Sequence, residues 1–172
     1  MMHSRTVVLV AFQVVWLISA SAAARGCWGL GVVASGILVA IFITAASSRR
    51  FAVLVIAASG LMGLVIETVL VRGGWVNYAA SWPMDGLPPI WIVCLWLAFG
   101  TTIEISIAFL AKMQTWKVAA LSATLGPLSY IAGERVGALS FPEPAWRGQL
   151  AVALLLGIAM PGLLAIVERA RK

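Results

Sequence analysis

The sequence predicts an all-α fold, a polytopic membrane helix bundle of six transmembrane helices in one domain over residues 1–172, with both termini on the cytoplasmic side (N-in/C-in). Three observations carry that prediction. Hydrophobic residues make up 62% of the chain and charged residues 10%, against about 45–50% and about 25% in soluble domains. So few polar groups could not cover a surface in water. The apolar residues also run continuously rather than alternating over about 10 residues, which excludes a transmembrane barrel and leaves helices, which satisfy their own backbone in lipid. Finally, six of these runs meet the length of about 20 residues that a span needs.

The spans are placed near 6–24, 28–46, 51–71, 88–111, 117–134 and 149–167. Each boundary falls on charges or turn residues: Arg25-Gly26, Ser47-Ser48-Arg49-Arg50, Arg72-Gly73-Gly74, Lys112 to Lys117, and Arg135 to Arg147. The connections are mostly very short, so neighbouring helices run antiparallel in one bundle. The first run also has the layout of a signal peptide, with Arg5, an apolar core and Ala22-Ala23-Ala24 before Arg25; its expected fate is retention as the first span.

Basic residues set the orientation. With the N-terminus inside, Arg5, Arg49, Arg50, Lys112, Lys117, Arg169, Arg171 and Lys172 are cytoplasmic, while Arg25, Arg72, Arg135 and Arg147 are outside. That bias favours N-in, C-in. The net charge of +6 therefore reads as topology and contact with anionic lipid, and no nucleic-acid partner is expected.

Ionisable residues inside a membrane are functional candidates by default. Glu67 falls near the outer end of the third span, about one turn from Arg72. Glu134 and Arg135 lie at the outer end of the fifth, and Glu104 lies within the fourth, ~12 Å from its cytoplasmic end. Two readings stand for Glu67 and Glu134. Either they are half-wet interfacial groups neutralised by Arg72 and Arg135, or they share an outer-leaflet pocket under the loop "RGGWVNYAASWPMDGLPP". That loop and the helix after it carry Trp75, Tyr78, Trp82 and Trp91, which read either as an interfacial aromatic belt or as a lid over a lipid-shaped cavity. Glu104, flanked by Thr101, Thr102 and Ser106, is either bonded to those hydroxyls or free for proton handling or ligand binding.

In "GPLSYIAGERVGA", residues 126–138, Pro127 removes an amide donor and kinks the helix, with Ser129 and Tyr130 on hand to replace the lost bond. Gly133 and Gly137 form a small-xxx-small pair suited to close helix approach. Cys27 and Cys94 are expected as two buried thiols. The only histidine, His3, is terminal, which rules out histidine-rich di-iron sites and bis-histidine haem ligation within the chain. Two cysteines do not make a tetrahedral zinc site by themselves. Asp85 is the sole aspartate, and no Gly-x-Ser-x-Gly, Walker or dinucleotide glycine motif occurs. No metal or cofactor is expected.

"GLVIETVLVRGGWVNYAASWPMDGLPPIWIVCLWLAFGTTIEISIAFL" with the later "GPLSYIAGERVGA" resembles an uncharacterised family of small bacterial inner-membrane proteins, domain of unknown function 2878. The resemblance covers residues 60 to 138. It rests on Pro88-Pro89-x-Trp91, Leu95-Trp96-x-x-Phe99 and Gly126-Pro127-x-x-Tyr130-x-x-Gly133. Glu67 stands where the family tends to have an acid. Residues 104–105 depart from the pattern, with Glu104-Ile105 where an Asn-His pair is expected. The resemblance implies a multi-pass protein of the bacterial inner membrane, encoded beside cyclopropane-fatty-acid-synthase-like methyltransferases and flavin oxidases that modify acyl chains.

Three functions are expected. The first is a lipid-handling or accessory component of fatty-acid or lipid modification, with membrane lipids and lipid-modifying enzymes as partners. The second is a membrane enzyme using Glu104, or Glu67 with Glu134, as acid and base on a lipid. The third is a structural subunit of a larger membrane complex.

Overall fold

Among the described residues, six helices form on the six apolar runs: α1 (Arg5–Ala24), α2 (Gly29–Ala45), α3 (Arg49–Arg72), α4 (Ile90–Leu110), α5 (Thr115–Val136) and α6 (Trp146–Arg171). The computed structural model describes residues 5–83, 86–110 and 112–171; His3 and Asp85 lie outside the described residues. Among the described residues, α1 from Thr6, α3 and α6 are long and apolar enough to cross a membrane, while the apolar stretches Gly29–Ala45 and Ile90–Ser106 are shorter.

Local chemistry sets several ends. Ser48 caps α3, its hydroxyl accepting from the Phe51 amide at 3.4 Å. Gly137 ends α5 with φ of 89°, a left-handed position natural to glycine. Its amide reaches the Glu134 carbonyl, and the Ala138 amide reaches Gly133. Gly137 is therefore a stop rather than half of a helix-packing pair. The close approach of α6 to α5 falls further down, where Leu156 covers Gly126 and Ala123 covers Gly157.

The loops after α1, α3 and α5 gather at one end of the bundle. There Trp28 stacks on Trp82 with centroids 4.6 Å apart. The two longer loops pair as a short antiparallel ribbon of β1 (Asn77–Tyr78) and β2 (Leu139–Ser140), with Asn77 opposite Ser140 and Tyr78 opposite Leu139. The Ala79 amide extends the pairing to the Ala138 carbonyl at 2.9 Å. The start of α1 and the end of α6 lie at the end of the bundle opposite this ribbon.

In cross-section α4 is central, packed against α1, α2 and α3, while α3 also leans on α6 and α5 packs chiefly on α6. The largest core cluster sits toward the ribbon end around Leu70, Trp91, Leu95, Trp96, Tyr130 and Val152. Two smaller ones, around Val55, Leu163 and Val167 and around Val8, Phe42 and Ala52, close the other end. α5 continues through Pro127 as one helix. The Ser129 hydroxyl bonds back to the Gly126 carbonyl at 2.7 Å, but Tyr130, expected to help repair the backbone, points elsewhere.

Candidate functional site

Glu67 lies on the face of α3 that also buries Gly60, Gly63, Ile66 and Leu70, and it is fully buried. The half-wet reading of this residue is therefore wrong. Arg72 is exposed and five residues further along α3, on the far side of the helix, so it does not neutralise the carboxyl. Three neutral donors do the work instead. Trp96 Nε1 on α4 donates to Oε1 at 2.8 Å, and the Tyr130 hydroxyl on α5 donates to the same oxygen at 2.6 Å. The Tyr78 hydroxyl, from the ribbon, donates to Oε2. A buried carboxyl needs such partners, because an unpaired one is strongly disfavoured in a low-dielectric interior. Both tyrosines of the chain are spent on this one side chain.

Each donor has a structural reason to be where it is. Trp96 fits because residue 63 is glycine: a Cβ there would stand 2.1 Å from the Trp96 ring. Tyr78 is fixed by its place in β1 and by an edge-on contact with Trp91 at 5.8 Å. Burial, and then the charge of Glu67, hold the Tyr78 phenol well above its ordinary range, so it stays protonated and available to donate. Trp91 is itself buried, and its indole donates to the Ala79 carbonyl at 3.2 Å, pinning the loop. Of the aromatics expected to form a belt or lid, Tyr78 and Trp91 are thus inward anchors. Trp75 and Trp82 are exposed at the surface, Trp82 stacked on Trp28.

The other acids are not brought to this point. Glu134 accepts the Phe141 amide at 2.9 Å, so it holds the turn into the ribbon and makes no hydrogen bond with Glu67 or its donors. Arg135 is exposed, and the two neighbours form no ion pair. Glu104 is half-buried on α4, and the cation that acts on it is Arg171 at the end of α6. It makes no hydrogen bond to the hydroxyls around it. Thr101 and Thr102 donate instead to the Ala98 and Phe99 carbonyls of their own helix, both at 2.7 Å, as hydroxyls within a helix commonly do. Cys27 and Cys94 are free thiols, but Cys27 is exposed, contrary to the expected burial. No metal-binding cluster occurs among the described residues.

Beside the carboxyl runs a groove of about 630 Å³, within the size range of ligand sites. Its floor is α4 from Ile92 through Trp96, Phe99 and Ile103 to Leu110, and α5 with α6 forms one wall. It exists because α5 packs on α6 and stands away from α4. On the other side is α1, which lies against α5 near the ribbon end, where Ala24 approaches Gly137. Further down, Gln13 on α1 and Leu121 and Leu125 on α5 are exposed along the rim, so the groove opens sideways between the two helices. Glu67 and Tyr130 close its ribbon end. From Ile92 to Leu110 it is ~27 Å long at the rise of an α-helix.

Sequence reasoning singled out Glu67, Tyr78 and Tyr130 but missed Trp96 as a donor, Gly63 as the space that admits it, and Gln13. A signal for Gln13 was available: an amide inside an apolar span is as notable as an acid.

Fold and site together define a class: an apolar bundle with six helices among the described residues, in which the one fully buried acid among those residues is hydrogen-bonded by aromatic donors at the head of a side-opening groove. The chain belongs to the family described as "Protein of unknown function (DUF2878)", whose model matches residues 5–162. No curated protein and no solved structure matches the chain.

Proposed function

We propose that this protein crosses the bacterial inner membrane six times, with both termini cytoplasmic, and holds a lipid in the groove between α1, α4, α5 and α6 as a lipid-handling or accessory component of acyl-chain modification. The orientation rests on the basic residues, eight on the terminal side and four at the ribbon end. On that orientation the ribbon and Glu67, at the end that carries Arg25, Arg72, Arg135 and Arg147, face the outer leaflet. Helices α4 and α5, of 21 and 22 residues, have the length of a span, and α2, at 17 residues, completes the set with local thinning of the bilayer absorbing its shorter length.

The single observation that carries the lipid reading is the groove. It opens sideways from a helical bundle whose surroundings are hydrocarbon, is walled mainly by apolar side chains, and nearly matches the hydrocarbon thickness of about 30 Å. An acyl chain is the molecule at hand with that shape and chemistry. The test is native mass spectrometry with lipidomics on protein extracted gently from its own membrane. A specific acyl lipid at fixed stoichiometry, lost when Ser122→Trp fills the groove wall, supports the reading. Bulk phospholipid at variable stoichiometry, unchanged in that variant, overturns it.

A second reading has an observation of its own. Glu67 with the Tyr78 and Tyr130 hydroxyls is a proton-bearing set at the head of the groove, as general acid–base chemistry on a bound lipid requires. Chemically altered lipid accumulating with the wild type, and not with Glu67→Gln, would select the enzyme. Unaltered lipid bound equally by both would reject it.

A further inference from the structure

The groove has polar atoms at two depths. One is the Glu67–Tyr130 end. The other is formed by Gln13 on α1, Thr102 on α4 and Ser122 on α5, all of which line the same groove. Helical rise puts these three at a common level. Gln13 is eight residues from Arg5, Thr102 eight from Leu110 and Ser122 seven from Thr115, so each is ~10–12 Å from the terminal-side end of its helix. On α5 alone, Ser122 and Tyr130 are eight residues apart, which sets the two depths ~12 Å from one another.

The lower level has unused hydrogen-bonding capacity. The Thr102 hydroxyl donates to Phe99 and the Ser122 hydroxyl to Val118 at 2.9 Å, which leaves lone pairs on both oxygens able to accept. The Gln13 amide, with two donors and an acceptor, has no hydrogen-bond partner among the described residues. An amide facing hydrocarbon with no partner is strongly disfavoured, so the groove's occupant is the natural group to satisfy it. Charge narrows the occupant further. Glu67 is the one acidic side chain lining the groove among the described residues, and no Lys or Arg is there to receive a phosphate or carboxylate. With no cation there to offset the burial of an anionic headgroup, a neutral one that hydrogen-bonds suits that end.

We propose that the groove takes a neutral long-chain lipid bearing an oxygen substituent part-way along its chain, with the headgroup at the end lined by Glu67 and Tyr130 and the in-chain oxygen at Gln13. This rests on the lipid reading and specifies its ligand. The same geometry would hold an acyl chain at a fixed depth, so the protein would read where along the chain the oxygen sits.

The test is native mass spectrometry of the intact protein against two neutral probes, stearoyl glycerol and the same monoacylglycerol carrying a mid-chain hydroxyl. One or two added hydrogen bonds predict about a tenfold preference for the hydroxylated probe in the wild type. Gln13→Leu should abolish that preference while still binding plain stearoyl glycerol, and Glu67→Gln should weaken both probes alike. Gln13 is exposed and unbonded, so its replacement leaves the fold intact, which an unchanged melting temperature checks. Equal binding of both probes by the wild type, or a preference that survives in Gln13→Leu, overturns the inference while leaving the lipid reading standing. A dimer that falls apart on Gln13→Leu, with no change in lipid preference, would assign the amide to a second copy of the chain and also overturns it. Failure of both probes to bind at all removes the lipid reading itself.

Discussion

Glu67→Leu is the perturbation that most directly tests the hydrogen-bonded carboxyl as the keystone of the ribbon end. The substitution keeps the volume roughly but removes the acceptor for three donors, Trp96 Nε1 and the Tyr78 and Tyr130 hydroxyls. The two phenols can turn toward each other, which leaves about two buried donors unmet at ~1–3 kcal/mol each. Relief from burying the carboxyl offsets part of that loss, so a net destabilisation of ~2–5 kcal/mol is expected. For a chain of this length that corresponds to a melting temperature lower by about 5–20 °C. Glu67→Gln should behave differently. Its carbonyl keeps the bonds from Trp96 and Tyr130, its amide can donate to the Tyr78 oxygen and the Tyr78 proton can turn to the Tyr130 oxygen, so the loss should stay at ~1 kcal/mol, since each of the three donors keeps an acceptor and a single amide hydrogen goes unpaired. Tryptophan fluorescence during thermal unfolding in mild detergent reads both. Adding Tyr130→Phe to Glu67→Leu removes one orphaned donor and should recover part of the loss. Two outcomes refute the reasoning: Leu melting alongside wild type, or Gln melting as low as Leu.

Gly63→Ala places a methyl within 2.1 Å of the Trp96 ring; expelling the indole should lower stability by ~1–3 kcal/mol, whereas Gly36→Ala, with nothing within 4 Å, should not, and thermal unfolding of the pair decides it. Tyr78 supplies an alkaline signature. Its folded-state value lies well above the 10.0 of an ordinary phenol, so its contribution is complete below about pH 10 and is lost as the pH rises through the raised folded value. Stability followed by fluorescence should therefore fall at high pH, and less steeply in Tyr78→Phe; identical alkaline curves would contradict the role given to burial. Topology is read by cysteine labelling: Cys27 is exposed on the loop assigned to the outside, so an impermeant maleimide should modify it in intact cells, and labelling only after lysis would reverse the orientation.

The helices were legible because length and composition alone define them. Continuous apolar runs broken by Arg25-Gly26, Ser48-Arg49-Arg50 and Arg72-Gly73-Gly74 mark where backbone can leave hydrocarbon, and the helix ends fall within a few residues of those marks. Glu67 was legible as a candidate for the same reason, since an acid in an apolar run is conspicuous wherever the chain folds. Its surroundings were not. Helices that are apolar on every face carry no stripe to say which neighbour they meet, so the reading of Glu67 as an interfacial partner of Arg72 followed sequence distance and failed. Its actual donors lie 11, 29 and 63 residues away, on a ribbon strand and two other helices. The Gly133–Gly137 pair misled in the same way, because a glycine that stops a helix and one that packs against a neighbour look alike in a string.

What the sequence determined by itself was the solvent, the number and extent of the helices, and the residues that hydrocarbon would not accept unpaired. Only the tertiary structure decided how those residues were satisfied. The absence of a side chain at Gly63 lets the Trp96 ring sit against α3 and reach Glu67, and the pairing of residues 77–79 with 138–140 delivers Tyr78 from above. The packing of α5 on α6 rather than α4 leaves the groove open and Gln13 without a partner. Each of these is a contact between segments far apart in the chain, fixed by shape complementarity among side chains of nearly equal hydrophobicity, and composition carries no record of shape.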